Sequence, residues 1–113
     1  MITSNQVIYN SIEVTKSFYF TFDGRRCYCS IPVLNLNDTA AQMLVTYSDG
    51  EQEIYDLYSV DGIFYSGVSR TNSNSRVNFE KWENDQSVTL SGTWNYGGNE
   101  GEWYIEGFYK SLP

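Results

Sequence analysis

Residues 43–68 read MLVTYSDGEQEIYDLYSVDGIFYSGV, and this stretch decides the fold. Apolar and polar side chains alternate along it, as they do in half-buried strands, and two Asp-Gly pairs interrupt the alternation. A third pair, Asp23-Gly24, lies between two similar segments earlier in the chain. An Asp-Gly pair can supply both positive-φ positions of a type I′ turn, which joins antiparallel strands with only two residues. The sequence therefore predicts an antiparallel strand meander.

Two-residue turns also predict which residues face each other across each hairpin. Asp23-Gly24 would place Phe20 opposite Cys27, on a face that also carries Phe18 and Cys29 and is therefore expected to be the core side. The other two turns would give the pairs Val45–Ile54 and Tyr58–Tyr65. The second face of the strands is then solvent-facing, and it carries a surplus of aromatic residues: Tyr19, Tyr28, Tyr55, Tyr104 and Phe108.

The last hairpin has the clearest alternation, which places Trp94 and Trp103 on its core side, with residues 97–101 as the glycine-rich connection. Earlier in the chain, Pro32 cannot donate to a ladder, so we expect a sheet edge, a bulge or a strand end there. Eight strands are predicted, at about 11–22, 25–34, 41–48, 51–60, 63–69, 77–82, 87–96 and 102–110. The predicted fold is an all-β antiparallel meander closed into a small up-and-down barrel, because closure removes the sheet edges. A two-sheet β-sandwich is the alternative.

Composition bounds the class of protein. The 113 residues are enough for one β domain, residues 1–113, and 41% of them are hydrophobic, which is ample for a core. The start of the chain, residues 1–10, lacks the basic head and apolar run of a signal peptide, and no stretch approaches the ~20 apolar residues of a membrane-spanning helix. We therefore expect a cytoplasmic protein with no membrane partner.

The cysteines predict neither a disulfide nor a metal site. Cys27 and Cys29 are two residues apart on one predicted strand, about 6.5–7 Å, which exceeds the usual disulfide separation. The chain has no histidine, so a zinc site would need unusual ligands and a Cys-His nucleophile is impossible. No cofactor-binding motif is present either. We expect two reduced core cysteines, no metal and no cofactor.

Net charge is −7, and its distribution favours a basic protein partner. No base lies between Arg26 and Arg70, whereas six acids do. Binding to a phosphate backbone needs a basic surface, so nucleic acid is an unexpected partner. The predicted partner-binding residues are acidic, Asp49, Glu51, Glu53 and Asp56, and aromatic, Tyr19, Tyr28, Tyr55, Tyr104 and Phe108.

The sequence predicts a binding protein and not an enzyme. Glu53 and Asp56 differ in strand parity, so they would not flank a scissile bond, and no nucleophile elbow or phosphate-binding loop is present. The first hypothesis is a non-catalytic, inhibitor- or immunity-type module that docks on a basic surface. The second is a small carbohydrate- or ligand-binding, lectin-like barrel that uses Trp82, Asn95, Asn99 and Tyr104. A homo-oligomer that pairs its aromatic faces is a third.

One hairpin resembles those of known families. Residues 89–96, TLSGTWNY, followed by the glycine turn and Trp103, are similar to hairpins of the cyanobacterial agglutinin family of high-mannose lectins and of avidin-like proteins. The Trp-Gly-Gly loops and the internal duplication of that lectin family are missing. The resemblance covers about twenty residues that any twisted aromatic hairpin shares, and it implies no binding residue in this chain.

Overall fold

The computed structural model describes residues 9–110, and these form an eight-stranded closed barrel. The strands are β1 (Asn10–Phe20), β2 (Arg26–Leu36), β3 (Ala40–Tyr47), β4 (Gln52–Tyr58), β5 (Phe64–Ser69), β6 (Ser75–Glu83), β7 (Ser87–Tyr96) and β8 (Asn99–Tyr109). Each pairs antiparallel with its chain neighbours, and β8 also pairs with β1. The all-β barrel is therefore confirmed, and the sandwich alternative is wrong. Most of residues 1–10, on which the expected absence of a signal peptide rests, lies outside the described residues.

The predicted type I′ turns at the Asp-Gly pairs are wrong. No described residue other than glycine has a positive φ, so none of the three aspartates takes the first turn position. At the β1–β2 turn, the Thr21 amide donates to the Arg25 carbonyl (2.8 Å) and the Gly24 amide donates to the Thr21 carbonyl (2.9 Å). Gly24, with φ 87°, is the single left-handed residue of a three-residue loop. This is a type I turn followed by a glycine bulge.

The other two Asp-Gly connections also depart from two residues. At the β3–β4 turn, the Tyr47 amide donates to the Glu51 carbonyl (2.8 Å), which leaves another three-residue loop. Residues 59–63 connect β4 to β5, and there the Asp61 carboxylate accepts from the Ile63 and Phe64 amides, both at 2.9 Å. The aspartates therefore act as local acceptors for backbone amides, which requires no positive φ.

These loops shift every predicted pairing by one residue. Tyr19 lies opposite Cys27, Val45 opposite Glu53 and Tyr58 opposite Ser66. Because side chains alternate along a strand, a slip of one residue exchanges the two faces. Phe18 and Phe20, predicted to be core residues, lie on the outer wall, and Tyr19 points into the barrel.

The predictions for Pro32 and for the faces of the β7–β8 hairpin are confirmed. Pro32 lies in a bulge of β2, where the register with β3 shifts between Ser30 and Val33. The β7–β8 hairpin has the expected faces: Leu90 opposes Ile105, both are buried, and Trp103 is buried. Its connection is shorter than predicted, because Gly97 and Gly98, with φ 57° and 93°, form the whole turn. Two consecutive positive φ values identify this as a two-residue type I′ turn.

The barrel interior has two different ends. The β1–β2, β3–β4 and β7–β8 turns and the β5–β6 loop surround one end, called the mouth below. The remaining loops surround the other, called the closed end. Aliphatic and aromatic side chains fill the space between them: Ile12, Leu34, Leu36, Met43, Val45, Leu57, Val77, Phe79, Val88, Leu90 and Ile105. This packed core means that the barrel is not an open tube.

Candidate functional site

A cavity of about 360 Å³ opens at the mouth of the barrel. Its volume lies at the small end of the range of ligand pockets. Inward-facing residues of six strands line it, and they are aromatic or polar, unlike the aliphatic residues deeper in the barrel: Tyr19, Tyr47, Glu53, Tyr55, Ser75, Trp94 and Trp103. Glu51, Gln52, Asn72 and Tyr96 complete the lining at the rim. The change in residue type marks the point where core packing ends and a potential binding site begins.

Glu53 is the charged group of this cavity, and two tyrosines fix its orientation. The hydroxyls of Tyr47 and Tyr55 both donate to Oε1 of Glu53, at 2.8 and 2.7 Å. The Ser75 hydroxyl forms a 2.6 Å hydrogen bond with the Tyr55 hydroxyl and also lies 3.5 Å from Oε1 of Glu53. Since the single proton of Tyr55 goes to Glu53, we assign Ser75 as the donor to Tyr55. Within the described chain, Oε2 of Glu53 receives no hydrogen bond, and no buried side-chain oxygen lacks a partner. Oε2 is therefore exposed to the cavity.

The tyrosines around Glu53 are donors and not bases. Burial raises the pKa of Tyr47 far above its ordinary value, and the neighbouring Tyr55 and Glu53 raise it further. Burial also raises the pKa of Tyr55. Both hydroxyls stay protonated at neutral pH, so they hold the carboxylate by neutral-to-ionic hydrogen bonds. Tyr47 and Tyr55 therefore fix the position of the Glu53 carboxylate.

Two tryptophans form rigid walls of the cavity. The indole of Trp103 donates to the Ser17 hydroxyl (3.1 Å), and its ring contacts those of Tyr19 and Tyr55, with centroids 5.9 and 6.0 Å apart. The indole of Trp94 reaches across β8 and donates to the Phe20 carbonyl on β1 (2.7 Å). Trp94 fits there because β8 has a glycine beneath it: a Cβ on Gly101 would lie 2.6 Å from the indole nitrogen.

The closed end is filled by a buried lysine. Lys81 points inward from β6, its side chain only 5% exposed, and its ammonium lies 3.3 Å from both Asp38 and Glu83. The same ammonium lies 5.5 Å from the centre of the Tyr65 ring. Burial acts to lower the pKa of Lys81, but Tyr65, Glu83 and Asp38 together raise it above its ordinary value, so the lysine stays charged. These contacts close this end, and the mouth is the way into the cavity.

The structure brings three of the four predicted acidic residues together. Glu53 lies inside the cavity, Glu51 lines its rim, and Asp49 lies in the exposed β3–β4 turn beside it. Asp56 is separate from them. It lies on the outer wall, where the Arg70 guanidinium donates two hydrogen bonds to it, at 2.7 and 3.0 Å. Those hydrogen bonds and the positive charge of Arg70 lower the pKa of Asp56. The Asp56 carboxylate is therefore already paired within the protein.

The predicted aromatic residues do not form one surface. The prediction that Tyr19 and Tyr55 face solvent is wrong, because Tyr55 is 2% exposed and Tyr19 lines the cavity. Tyr28, Tyr104 and Phe108 do lie on the outer wall. Tyr104 stacks on Phe18 (5.3 Å between centroids), and the Arg26 guanidinium lies over the rings of Phe18 and Tyr28, at 5.4 and 5.8 Å. Phe108 is near the opposite end of the barrel.

The residues predicted for lectin-like binding are also scattered. Trp82 is 58% exposed on the outer wall, toward the closed end. Asn95 lies on the outer wall between Arg76 and Glu100, and Asn99 is exposed beside the β7–β8 turn. None of these three lines the cavity. The predicted sugar site is therefore not assembled.

Sequence reasoning missed several residues of the cavity. Trp94 and Trp103 were correctly placed on the inner face but interpreted as core. The predicted pair Val45–Ile54 would place Tyr47 and Glu53 on opposite faces, whereas Val45 lies opposite Glu53. Asn72 and Ser75 precede the strand predicted at 77–82, although β6 already begins at Ser75. The sequence feature that could have predicted the cavity is the clustering of aromatic residues at inward-facing positions near one end of several strands.

No protein-family model matches the sequence, and no protein with curated annotation matches it. Residues 9–110 contain no group of three or more cysteine, aspartate or glutamate side chains arranged to hold a metal ion. The same range contains no helix that is long and apolar enough to cross a membrane. The cavity at the mouth is therefore the feature that points to a function.

Proposed function

We propose that this protein is a non-catalytic binding barrel that takes a ligand through its mouth into the cavity around Glu53. The observation that carries the proposal is the position of that carboxylate. Its Oε1 is saturated by two tyrosine hydroxyls, whereas Oε2 is exposed to a cavity walled by fixed aromatic rings. A few oriented polar groups within aromatic walls are typical of small-molecule sites.

The groups in the cavity favour binding over catalysis. Acid–base chemistry requires a group that changes its protonation state near neutral pH. Tyr47 and Tyr55 have raised pKa values and serve as donors to Glu53. The Ser75 hydroxyl lies 2.6 Å from the Tyr55 hydroxyl but 3.5 Å from Oε1 of Glu53, which is too far for that carboxylate to act as its base. The remaining function for this network is to hold a charged acceptor in a fixed place.

The docking of a basic protein is the second candidate, and the rim of the mouth supports it. Asp49 and Glu51 are exposed beside the cavity, and Tyr96 at the same rim is half exposed. A lysine or arginine side chain of a partner would meet these carboxylates before it reached Glu53. This version keeps the acidic partner-binding hypothesis but moves its centre from a strand face to the barrel end.

Nuclear magnetic resonance of the three tryptophan indoles tests the proposal. A mixed set of small amines, carboxylates, monosaccharides and neutral aromatics is titrated into ¹⁵N-labelled protein at millimolar concentration. Ligands of the cavity should shift the indole N–H signals of Trp94 and Trp103 and leave that of Trp82, which is on the outer wall. Shifts confined to Trp82, or none at all, would refute binding in the cavity.

A blocking variant provides the second arm. Asn72 lines the mouth from the β5–β6 loop, and Asn74 in the same loop is exposed and does not line the cavity. Asn72→Trp should obstruct the mouth and weaken binding by about tenfold or more, which is about 1.4 kcal/mol. Asn74→Trp adds the same ring outside the cavity and should leave the affinity unchanged. Equal effects of both variants would argue for a surface site.

A further inference from the structure

We infer that the ligand of the cavity is an organic cation, held by Oε2 of Glu53 and by the faces of the surrounding aromatic rings. The inference rests on the proposed function and adds to it the chemical class of the ligand. It covers a free amine or quaternary ammonium compound and equally the side chain of a lysine or arginine. The charge balance, the aromatic walls and the polar groups of the cavity each support it.

Glu53 has no ion-pair partner among residues 9–110. Within the same range no lysine or arginine lines the cavity, and the second carboxylate of the lining, Glu51, adds to the negative potential. Arg70, on the neighbouring loop, is held by Asp56 on the outer wall. A half-buried carboxylate without a cation loses hydration and gains no ion pair, which is unfavourable. A cationic ligand supplies the missing partner.

The walls of the cavity suit a cation as well. Tyr19, Tyr47, Trp94 and Trp103 surround the space above Glu53, and Tyr96 stands at the rim. The faces of such rings are negative and attract ammonium groups within about 6 Å of the ring centre, most strongly for tryptophan. Hydrogen bonds to Phe20 and Ser17 already fix the two indoles, so little ordering is required on binding.

The charge of the lining separates a cation from other ligands. An anion would meet two carboxylates and no base among the described lining residues. A sugar would find the amides of Gln52 and Asn72 at the rim, but a neutral ligand leaves the charge of Glu53 without a partner. A cation is therefore the class of ligand that uses this carboxylate as an ion-pair partner.

Matched probes isolate the charge of the ligand. Choline and 3,3-dimethylbutan-1-ol have the same shape and differ in the central nitrogen or carbon, and benzylamine and benzyl alcohol form a second pair. Titrations at low ionic strength, followed by the indole signals of Trp94 and Trp103, should show that each cation binds at least about tenfold more tightly than its neutral partner. Equal affinities would overturn the inference and leave the proposed function intact. Failure of these four probes, and of the lysine compound described below, to shift these signals would overturn both.

One carboxylate inside the cavity and one on the outer wall provide the variants. Glu53→Gln keeps the acceptor for Tyr47 and Tyr55 but removes the charge, and it should weaken the binding of benzylamine by at least about tenfold while leaving that of benzyl alcohol unchanged. Glu80→Gln removes one charge from the outer wall of β6, where it releases no described ion-pair partner, and should change neither affinity beyond a small salt-dependent effect. Equal losses in the two variants would reduce the effect to general electrostatics and overturn the inference. If Glu53→Gln does not fold, the probe pairs on the wild-type protein still decide the question.

The source of the cation is decided by a further pair. Nα-acetyl-lysine methylamide presents the side chain as a protein would, and its norleucine analogue lacks the charge. Tighter binding of the lysine compound than of choline and benzylamine would assign the mouth to a basic protein. The reverse order would assign it to a free small cation. Both orders agree with the inference, and binding of the norleucine analogue as tight as that of the lysine compound would contradict it.

Discussion

Gly101→Ala should destabilise the barrel and displace a wall of the cavity. Gly101 lies on β8 opposite Trp94, and the Trp94 indole passes over it to reach the Phe20 carbonyl. A Cβ at this position would lie 2.6 Å from Nε1 and 2.9 Å from Cε2 of the indole, and still closer to the Phe20 carbonyl oxygen. Ordinary contacts begin at about 3.5 Å. Either the indole or the backbone of β1 must therefore move by roughly 1 Å.

The expected loss follows from those contacts. Breaking the Trp94–Phe20 hydrogen bond costs about 1–1.5 kcal/mol, because a carbonyl at the strand end loses its donor. Forcing an additional methyl group into a packed site costs about 1–3 kcal/mol. The sum is about 2–4.5 kcal/mol. For 113 residues, an unfolding entropy of ~2.1 cal/mol/K per residue converts each kcal/mol into about 4 °C, so Tm should fall by about 8–19 °C.

A double-mutant cycle separates this mechanism from a general effect of the methyl group. Urea unfolding is followed by far-ultraviolet circular dichroism, which does not depend on the tryptophan that is replaced. Trp94→Phe removes the donor and shrinks the ring, so Gly101→Ala should cost at least about 1 kcal/mol less in that background than in the wild type. Additive losses, within about 0.5 kcal/mol, would refute the claim that Gly101 provides space for the indole.

Three further results are expected from urea unfolding. Gly97→Asn should leave the free energy of unfolding unchanged or raise it by up to about 1 kcal/mol, because asparagine accepts the first position of a type I′ turn; a clear loss would contradict that turn. Lys81→Met should change stability by less than about 1 kcal/mol, since the methionine keeps the volume and the exposed partners Asp38 and Glu83 regain water, whereas Lys81→Ala leaves a void and should cost at least about 2 kcal/mol. Arg70 lowers the pKa of Asp56 below its ordinary value of about 3.9, so the stabilisation by this pair is full above that pH and is lost as the pH falls through the lowered value. The stability difference between wild type and Asp56→Asn should therefore vanish in strong acid, and a difference that persists there would exclude the charge as its source.

The barrel could be predicted from the sequence because closure depends on the alternation of apolar and polar residues and on the number of strands. An error of one or two residues in a turn changes neither of these. Leu90 and Ile105 were placed on the core face by the alternation within each strand, which does not depend on the length of the β7–β8 connection. Predicting the residues of the site, in contrast, required the exact pairing register of the strands. Asp23 and Asp49 were assigned positive φ values, but their carboxylates have another use, as local acceptors for Thr21 and for the Glu51 amide. A one-residue change in loop length then reversed the face of Tyr19.

Glu53 shows why the register matters for function. On the predicted outer face, a glutamate on a strand is an ordinary solvated side chain, and nothing about it requires a partner. Turned inward beside Tyr47, the same residue becomes an oriented acceptor in an aromatic cavity. Long-range contacts of this kind, such as that of Tyr55 with Ser75 twenty residues later, are set by closure of the barrel and have no local signature.

The two ends of the barrel differ in whether the inward-facing charged residue has an ion-pair partner. At the closed end, the Lys81 ammonium finds two carboxylates within 3.3 Å and an aromatic ring, so its charge is balanced by the protein. At the mouth, Oε1 of Glu53 receives neutral hydroxyls, and no cation of residues 9–110 pairs with this carboxylate. Hydroxyl donors orient a carboxylate but leave its charge in place. This difference between the two ends is the reason for which we propose a cationic ligand at the mouth and none at the closed end.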